Sequence, residues 1–144
     1  MATLHFQVTT DLPPGRVLEA LTDFSDRRPE IYRNIDHGHY RVHGQGPGWA
    51  DVTEGNVLAW ERNSYRWDEA AGTVSVSTVE SDSWAPGSRW EYHLQPTSTG
   101  GTEVDVTVAR IPRTLRGRII ALALPMMGRQ MFRSDLENVL RRAT

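Results

Sequence analysis

The chain has 144 residues, of which 38% are apolar and 24% charged, and its mean hydropathy is −0.50. That balance suits one folded domain spanning 1–144 and is too apolar for a disordered chain. A net charge of −2 gives no basic face for nucleic acid or for an acidic lipid surface, and the absence of cysteine removes disulfides, thiol catalysis and thiolate metal sites.

The first residues alternate. Leu4, Phe6 and Val8 share one side and His5, Gln7 and Thr9 the other, which predicts a half-buried strand. Pro13-Pro14 ends it and suits a first helical turn, because the missing N–H would be an orphan there anyway. Val17, Leu18, Leu21 and Phe24 then predict a short helix from about Pro14 to Thr22. Ser25-Asp26 is placed to cap a second short helix through Ile31 and Tyr32.

From His37 to Ile111 the period falls to two. Turn residues interrupt it at 44–48, 55–56, 69–72, 85–87 and 98–101, which predicts an antiparallel meander of about six strands. The clearest strand runs from Thr102 to Arg110, with Val104, Val106 and Val108 inward and Glu103, Asp105 and Thr107 outward. Trp90, Tyr92 and Leu94 form a matching inner face. The last thirty residues turn helical. Leu115, Ile119, Leu122 and Met126, then Leu124, Met127, Met131, Phe132, Leu136, Val139 and Leu140, predict one broad apolar stripe. Pro125 is expected to kink or break that helix. No apolar run approaches the ~20 residues of a membrane helix, and Met1 to Phe6 carries no signal-peptide pattern, so a cytoplasmic chain without stable membrane insertion is expected.

The element order is strand, two short helices, six strands and a long helix. It predicts an α+β fold in which a seven-stranded curved antiparallel sheet wraps the C-terminal helix. Such a grip leaves room for a small ligand. Three segments carry a resemblance to the helix-grip superfamily, also called START-like or SRPBCC, in its polyketide cyclase/dehydrase-type branch. They are Pro14 to Phe24, the stretch Ala85-Pro86-Gly87-Ser88-Arg89-Trp90-Glu91-Tyr92, and Phe132 to Leu140. The resemblance spans essentially the whole chain and implies either a carrier of lipids, hormones or polyketides or a cyclase, aromatase or dehydrase.

The residues themselves nominate several sites. His37, His39 and His43 are expected on one strand face with Arg41, whose cation argues against a metal there. No metal or other cofactor is expected. Gly44-x-Gly46-x-Gly48 contains Pro47 and is followed by no helix, so it reads as a flexible loop rather than a nucleotide cradle. If the loop 69–72 pairs Asp68 with Thr73, Trp67 faces Val74, Tyr65 faces Val76, and Glu61 faces Glu80 on the inner side, with Arg110 in phase. Two carboxylates in an apolar cavity suit general acid–base work, Glu80 first and Glu61 second. Tyr32, Tyr65, Trp67, Trp90 and Tyr92, facing Met127 and Met131, suit a flat apolar ligand. The leading expectation is therefore a small hydrophobic partner of polyketide, lipid or isoprenoid class, bound by a monomer or homodimer. The alternatives are a cyclase/aromatase or dehydrase using inner-face acids, and an interaction module with a filled core.

Overall fold

The computed structural model describes residues 2–143, apart from the side chains at 125 and 126. Strand β1 (Ala2–Thr10) leads through α1 (Pro14–Leu21), the single turn α2 (Arg28–Ile31) and a 3₁₀ turn (His37–His39) into six strands. These are β2 (Arg41–Gly46), β3 (Trp49–Gly55), β4 (Trp60–Asp68), β5 (Thr73–Ser81), β6 (Arg89–Pro96) and β7 (Thr102–Arg110). Helix α3 (Leu115–Ala123), a π turn (Leu124–Gly128) and α4 (Arg129–Arg142) complete the chain. The strands form one open antiparallel sheet in the order β1-β7-β6-β5-β4-β3-β2, so β1 joins the last strand of the meander and β1 and β2 are the sheet's two edges.

Alternation does what it predicts along this seam. Leu4, Phe6 and Val8 are buried opposite Val108, Val106 and Val104. Glu103, Asp105 and Thr107 point away but are half-covered, because β1 and β6 flank them on both sides. Pro14 opens α1 as its first residue, and α1 buries Val17, Leu18, Ala20 and Leu21. Ser25 accepts the Arg27 N–H from two residues before the cap position of α2, which Arg27 itself occupies, so neither Ser25 nor Asp26 caps that helix.

Three expectations are corrected. The 44–48 segment is no flexible loop: Gly44 and Gly46 belong to β2, and Pro47-Gly48 make a two-residue hairpin with Gly48 at φ 76°. A Cβ on Gly46 would lie 2.5 Å from the Trp49 indole nitrogen, so the glycines give that ring its seat. The three histidines do not share a strand face. His37 and His39 are in the 3₁₀ turn, and His43 sits in a bulge of β2, where it meets the Thr53 hydroxyl at 2.7 Å. The C-terminal stripe is also split. Leu136, Val139 and Leu140 are buried under the sheet, but Leu115, Ile119 and Leu122 face outward. The inward side of α3 is instead Gly117, Ile120 and Ala121. At Pro125 the helix neither stops nor continues as α. It widens into the π turn, whose extra residue per turn accommodates the missing N–H and resets the phase before α4. The expected place of Met126 on the stripe lies outside the described side chains.

Candidate functional site

Between the sheet, α2 and the C-terminal helix lies a cavity of about 460 Å³. Phe6, Leu21, Val76, Trp84, Trp90, Tyr92, Leu124, Phe132 and Leu136 supply much of its apolar wall. Trp90 and Phe132 meet edge to face at 4.8 Å, fixing both rings. Of the side chains expected to line it, Tyr32, Tyr65, Trp90, Tyr92, Arg110, Glu61 and Met131 do. Trp67 does not; it stacks on Phe24 at 6.0 Å, beside the core. Met127 is largely exposed and is not part of the lining.

The paired-acid arrangement is corrected by a bulge. Trp67 opposes Val74 and Tyr65 opposes Val76, as the loop 69–72 requires. Asn63 then opposes Thr78 but Arg62 opposes Glu80, leaving Val79 as the extra residue. One inserted residue reverses every side chain beyond it. Glu80 is therefore exposed, and Ser81, not Glu80, stands opposite Glu61.

What faces Glu61 is Arg110. Its guanidinium reaches the Glu61 carboxylate at 2.6 Å and lies over the rings of Trp90 and Trp84, 4.7 and 5.1 Å from their centroids. Trp84 is held under it by local chemistry: the Ser81 hydroxyl accepts the backbone N–H groups of Ser83 and Trp84, curling the segment inward.

A second ion pair closes the other side, and the sequence reading missed it. Arg28 is 2% exposed. Its Nε donates to Glu54 at 2.9 Å, one terminal nitrogen donates to the carbonyls of Leu21 and Asp23, and the other to the Tyr65 hydroxyl at 3.0 Å. The rings of Phe24, Tyr32 and Tyr65 surround it at 4.3 to 5.3 Å. Tyr65 in turn donates to Glu54. The signal for Glu54 was present: it is in phase with the apolar Ala50 and Val52 on β3. Arg28, between Arg27 and Pro29, gave none. Asn63 ties the two pairs together, donating to Glu61 at 3.1 Å and to Glu54 at 3.4 Å.

Burial pushes the Tyr65 phenol well above its ordinary range, and the Glu54 carboxylate beside it adds to the shift. Tyr32 is raised by burial too. Burial works against the Arg28 cation, but Glu54 and the surrounding phenols outweigh it and hold the guanidinium charged. The cavity thus contains a polar spine of two neutralised ion pairs within aromatic walls. Among the described residues, Trp90 Nε1, Arg110 Nε and Asn63 Oδ1 are buried polar atoms of this lining without a hydrogen-bond partner. No group of three or more His, Asp or Glu placed to hold a metal occurs among the described residues.

No protein-family model matches the sequence, and no curated protein matches it. Solved structures do. The Zhui aromatase/cyclase from Streptomyces sp. R1128 is 17% identical with a TM-score of 0.79, over 98% of this chain and 92% of that one. A START superfamily protein from Mycobacterium smegmatis is 9% identical with a TM-score of 0.68, over 96% and 99%. A truncated norcoclaurine synthase from Thalictrum flavum is 11% identical with a TM-score of 0.69, over 96% and 92%. The chain has the helix-grip fold of START-like proteins. At these identities the likeness is one of fold.

Proposed function

We propose that the chain binds a small hydrophobic molecule, of polyketide, lipid or isoprenoid class, in the cavity between sheet and C-terminal helix. The observation that carries this reading is the cavity itself: its volume of about 460 Å³ falls in the range of small-molecule sites, and its walls are aromatic and aliphatic. The spine of Arg110, Glu61 and Asn63 favours a ligand with an oxygen function, since an enclosed polar atom without a partner costs about 1–3 kcal/mol. Burying about 200 Å² of apolar ligand surface at ~25 cal/mol/Å² gives roughly 5 kcal/mol of gross stabilisation. Ordering losses leave micromolar affinity or weaker for generic ligands.

Titration of tryptophan fluorescence with polycyclic aromatic and fatty ligands tests the reading, because Trp84 and Trp90 line the cavity. Met131→Trp adds volume at the wall and is expected to weaken binding while the melting temperature holds. No binding by any ligand, together with a loss of several kcal/mol in Met131→Trp as overpacking produces, overturns it.

The second reading is a cyclase/aromatase or dehydrase, favoured by a carboxylate and a guanidinium meeting inside the cavity. Glu61 would take a proton from a carbon next to a carbonyl, and Arg110 would hold the resulting oxyanion. Glu61→Gln is expected to abolish turnover of a poly-β-keto substrate and to spare binding. Full turnover in that variant removes the enzyme reading.

A further inference from the structure

Charge is placed unevenly along the chain. Residues 106–134 hold six arginines and no carboxylate, whereas the remaining residues set ten arginines against eighteen carboxylates. The net charge of −2 therefore conceals a +6 segment beside a −8 remainder. Arg110 is spent on Glu61 inside the cavity. Arg113, Arg116, Arg118, Arg129 and Arg133 are exposed. Among the described residues, none of these five lies in an ion pair.

The same segment is apolar on two opposite sides. Ile120 and Leu124 face the cavity. Leu115, Ile119 and Leu122, spaced i, i+4, i+7, are 74%, 63% and 78% exposed. A helix with apolar residues all round normally has something against each side. Arg118 stands on the outer arc with them, three residues after Leu115 and four before Leu122, and Met127 in the following π turn is exposed too. Leu58 on the β3–β4 turn is also exposed, and like Arg116 and Ile120 it lines the cavity. The helix that carries the exposed stripe therefore also forms part of the cavity wall, through Arg116 and Ile120.

We propose that the outer face of α3 docks on an anionic lipid bilayer. The aliphatic side chains enter the boundary between headgroups and acyl chains, and the arginines extend their heads to the phosphates. A second copy is a poorer occupant: a two-fold interface places a face against itself, here a stripe carrying the exposed Arg118 against its own copy. A soluble acidic protein fits less well, because the stripe offers no aromatic anchor of the kind such interfaces concentrate. The inference goes beyond the cavity reading, since docking on vesicles needs no occupant in the cavity.

Co-sedimentation of the full chain with vesicles tests it. Binding is expected to vesicles of phosphatidylcholine containing about a third phosphatidylserine, and not to phosphatidylcholine alone. It is expected to vanish near 0.5 M salt, where the Debye length is only about 4 Å. Arg118→Gln is expected to weaken partition about fivefold. Leu115→Ser, Ile119→Ser and Leu122→Ser combined are expected to abolish it at low salt with an unchanged melting curve. Leu122→Ser alone is expected to weaken it, and serves if the combined variant misfolds. Equal partition to both vesicles, no partition to either, or full binding by the serine variants overturns the proposal. So does a wild-type dimer in sedimentation velocity that Leu122→Ser dissociates, which would give the face to a second copy.

Discussion

Two arginine–carboxylate pairs border one cavity, and they differ in how much of each arginine is spoken for. Arg28 gives its donors to Glu54, Tyr65 and two backbone carbonyls and is packed among three rings. Arg110 touches Glu61 and two tryptophan rings but keeps Nε without a partner. The first pair ties α1, α2, β3 and β4 to one another and fixes the cavity's shape. The second retains unused hydrogen-bonding capacity where a ligand would lie. An ion pair deep in a fold is thus architecture or chemistry according to its saturation, not its depth.

The largest expected effect is at the saturated pair. Arg28→Ala leaves Glu54 buried without its counter-ion and is expected to cost about 3–5 kcal/mol, a fall of roughly 10 °C in melting temperature. A loss under about 1 kcal/mol would place Arg28 with Arg110 and dissolve the distinction.

Next is alkaline stability. The folded pKa values of Tyr65 and Tyr32 are raised by burial, so both phenols stay protonated in the fold while the unfolded chain ionises them near pH 10. Their contribution is complete below about pH 10 and is lost as pH rises toward the folded values. Melting curves are expected to show stability falling above about pH 10 by up to ~1.4 kcal/mol per pH unit for each phenol. Tyr65→Phe is expected to flatten that slope; an unchanged slope would mean that Tyr65 is not sealed in the spine.

Arg110→Gln is expected to cost less in stability, about 1–3 kcal/mol, and to lower affinity for an oxygen-bearing aromatic ligand about tenfold or more. Calorimetric titration beside a melting curve separates the two. The smallest effect is expected at Glu80. Glu80→Gln should shift stability by less than about 0.5 kcal/mol and leave binding unaltered, because the Val79 bulge turns it outward.

Much of this molecule was legible as alternation. The inward faces of β1 and β7 and the inward set Tyr65, Trp90 and Tyr92 follow from period two, and the turn 69–72 from its turn residues; that β1 pairs with β7 does not, because alternation names a strand's face and not its partner. The failures have one physical form, a local change of phase. A single extra residue at Val79 separates Glu80 from Glu61, and periodicity cannot state where a strand will bulge. In the C-terminal helix, leucines and arginines share both sides, so apolar spacing chose the wrong arc for Leu115, Ile119 and Leu122. Arg28 was invisible for a different reason: its burial depends on Glu54 and Tyr65, 26 and 37 residues away, and a lone arginine reads as surface.

The bulge at His43 has a further consequence, for solubility. Strand β2 is an edge of an open sheet, and an unpaired edge invites a strand from another molecule. The bulge breaks the edge's regular spacing, Arg41 adds charge, and Gly44 and Gly46 lower its tendency to stay extended against a stranger. Deleting His43 would straighten β2 into a template of even spacing. The chain would keep its cavity and become prone to sheet-to-sheet polymerisation through an edge that the native register leaves unusable.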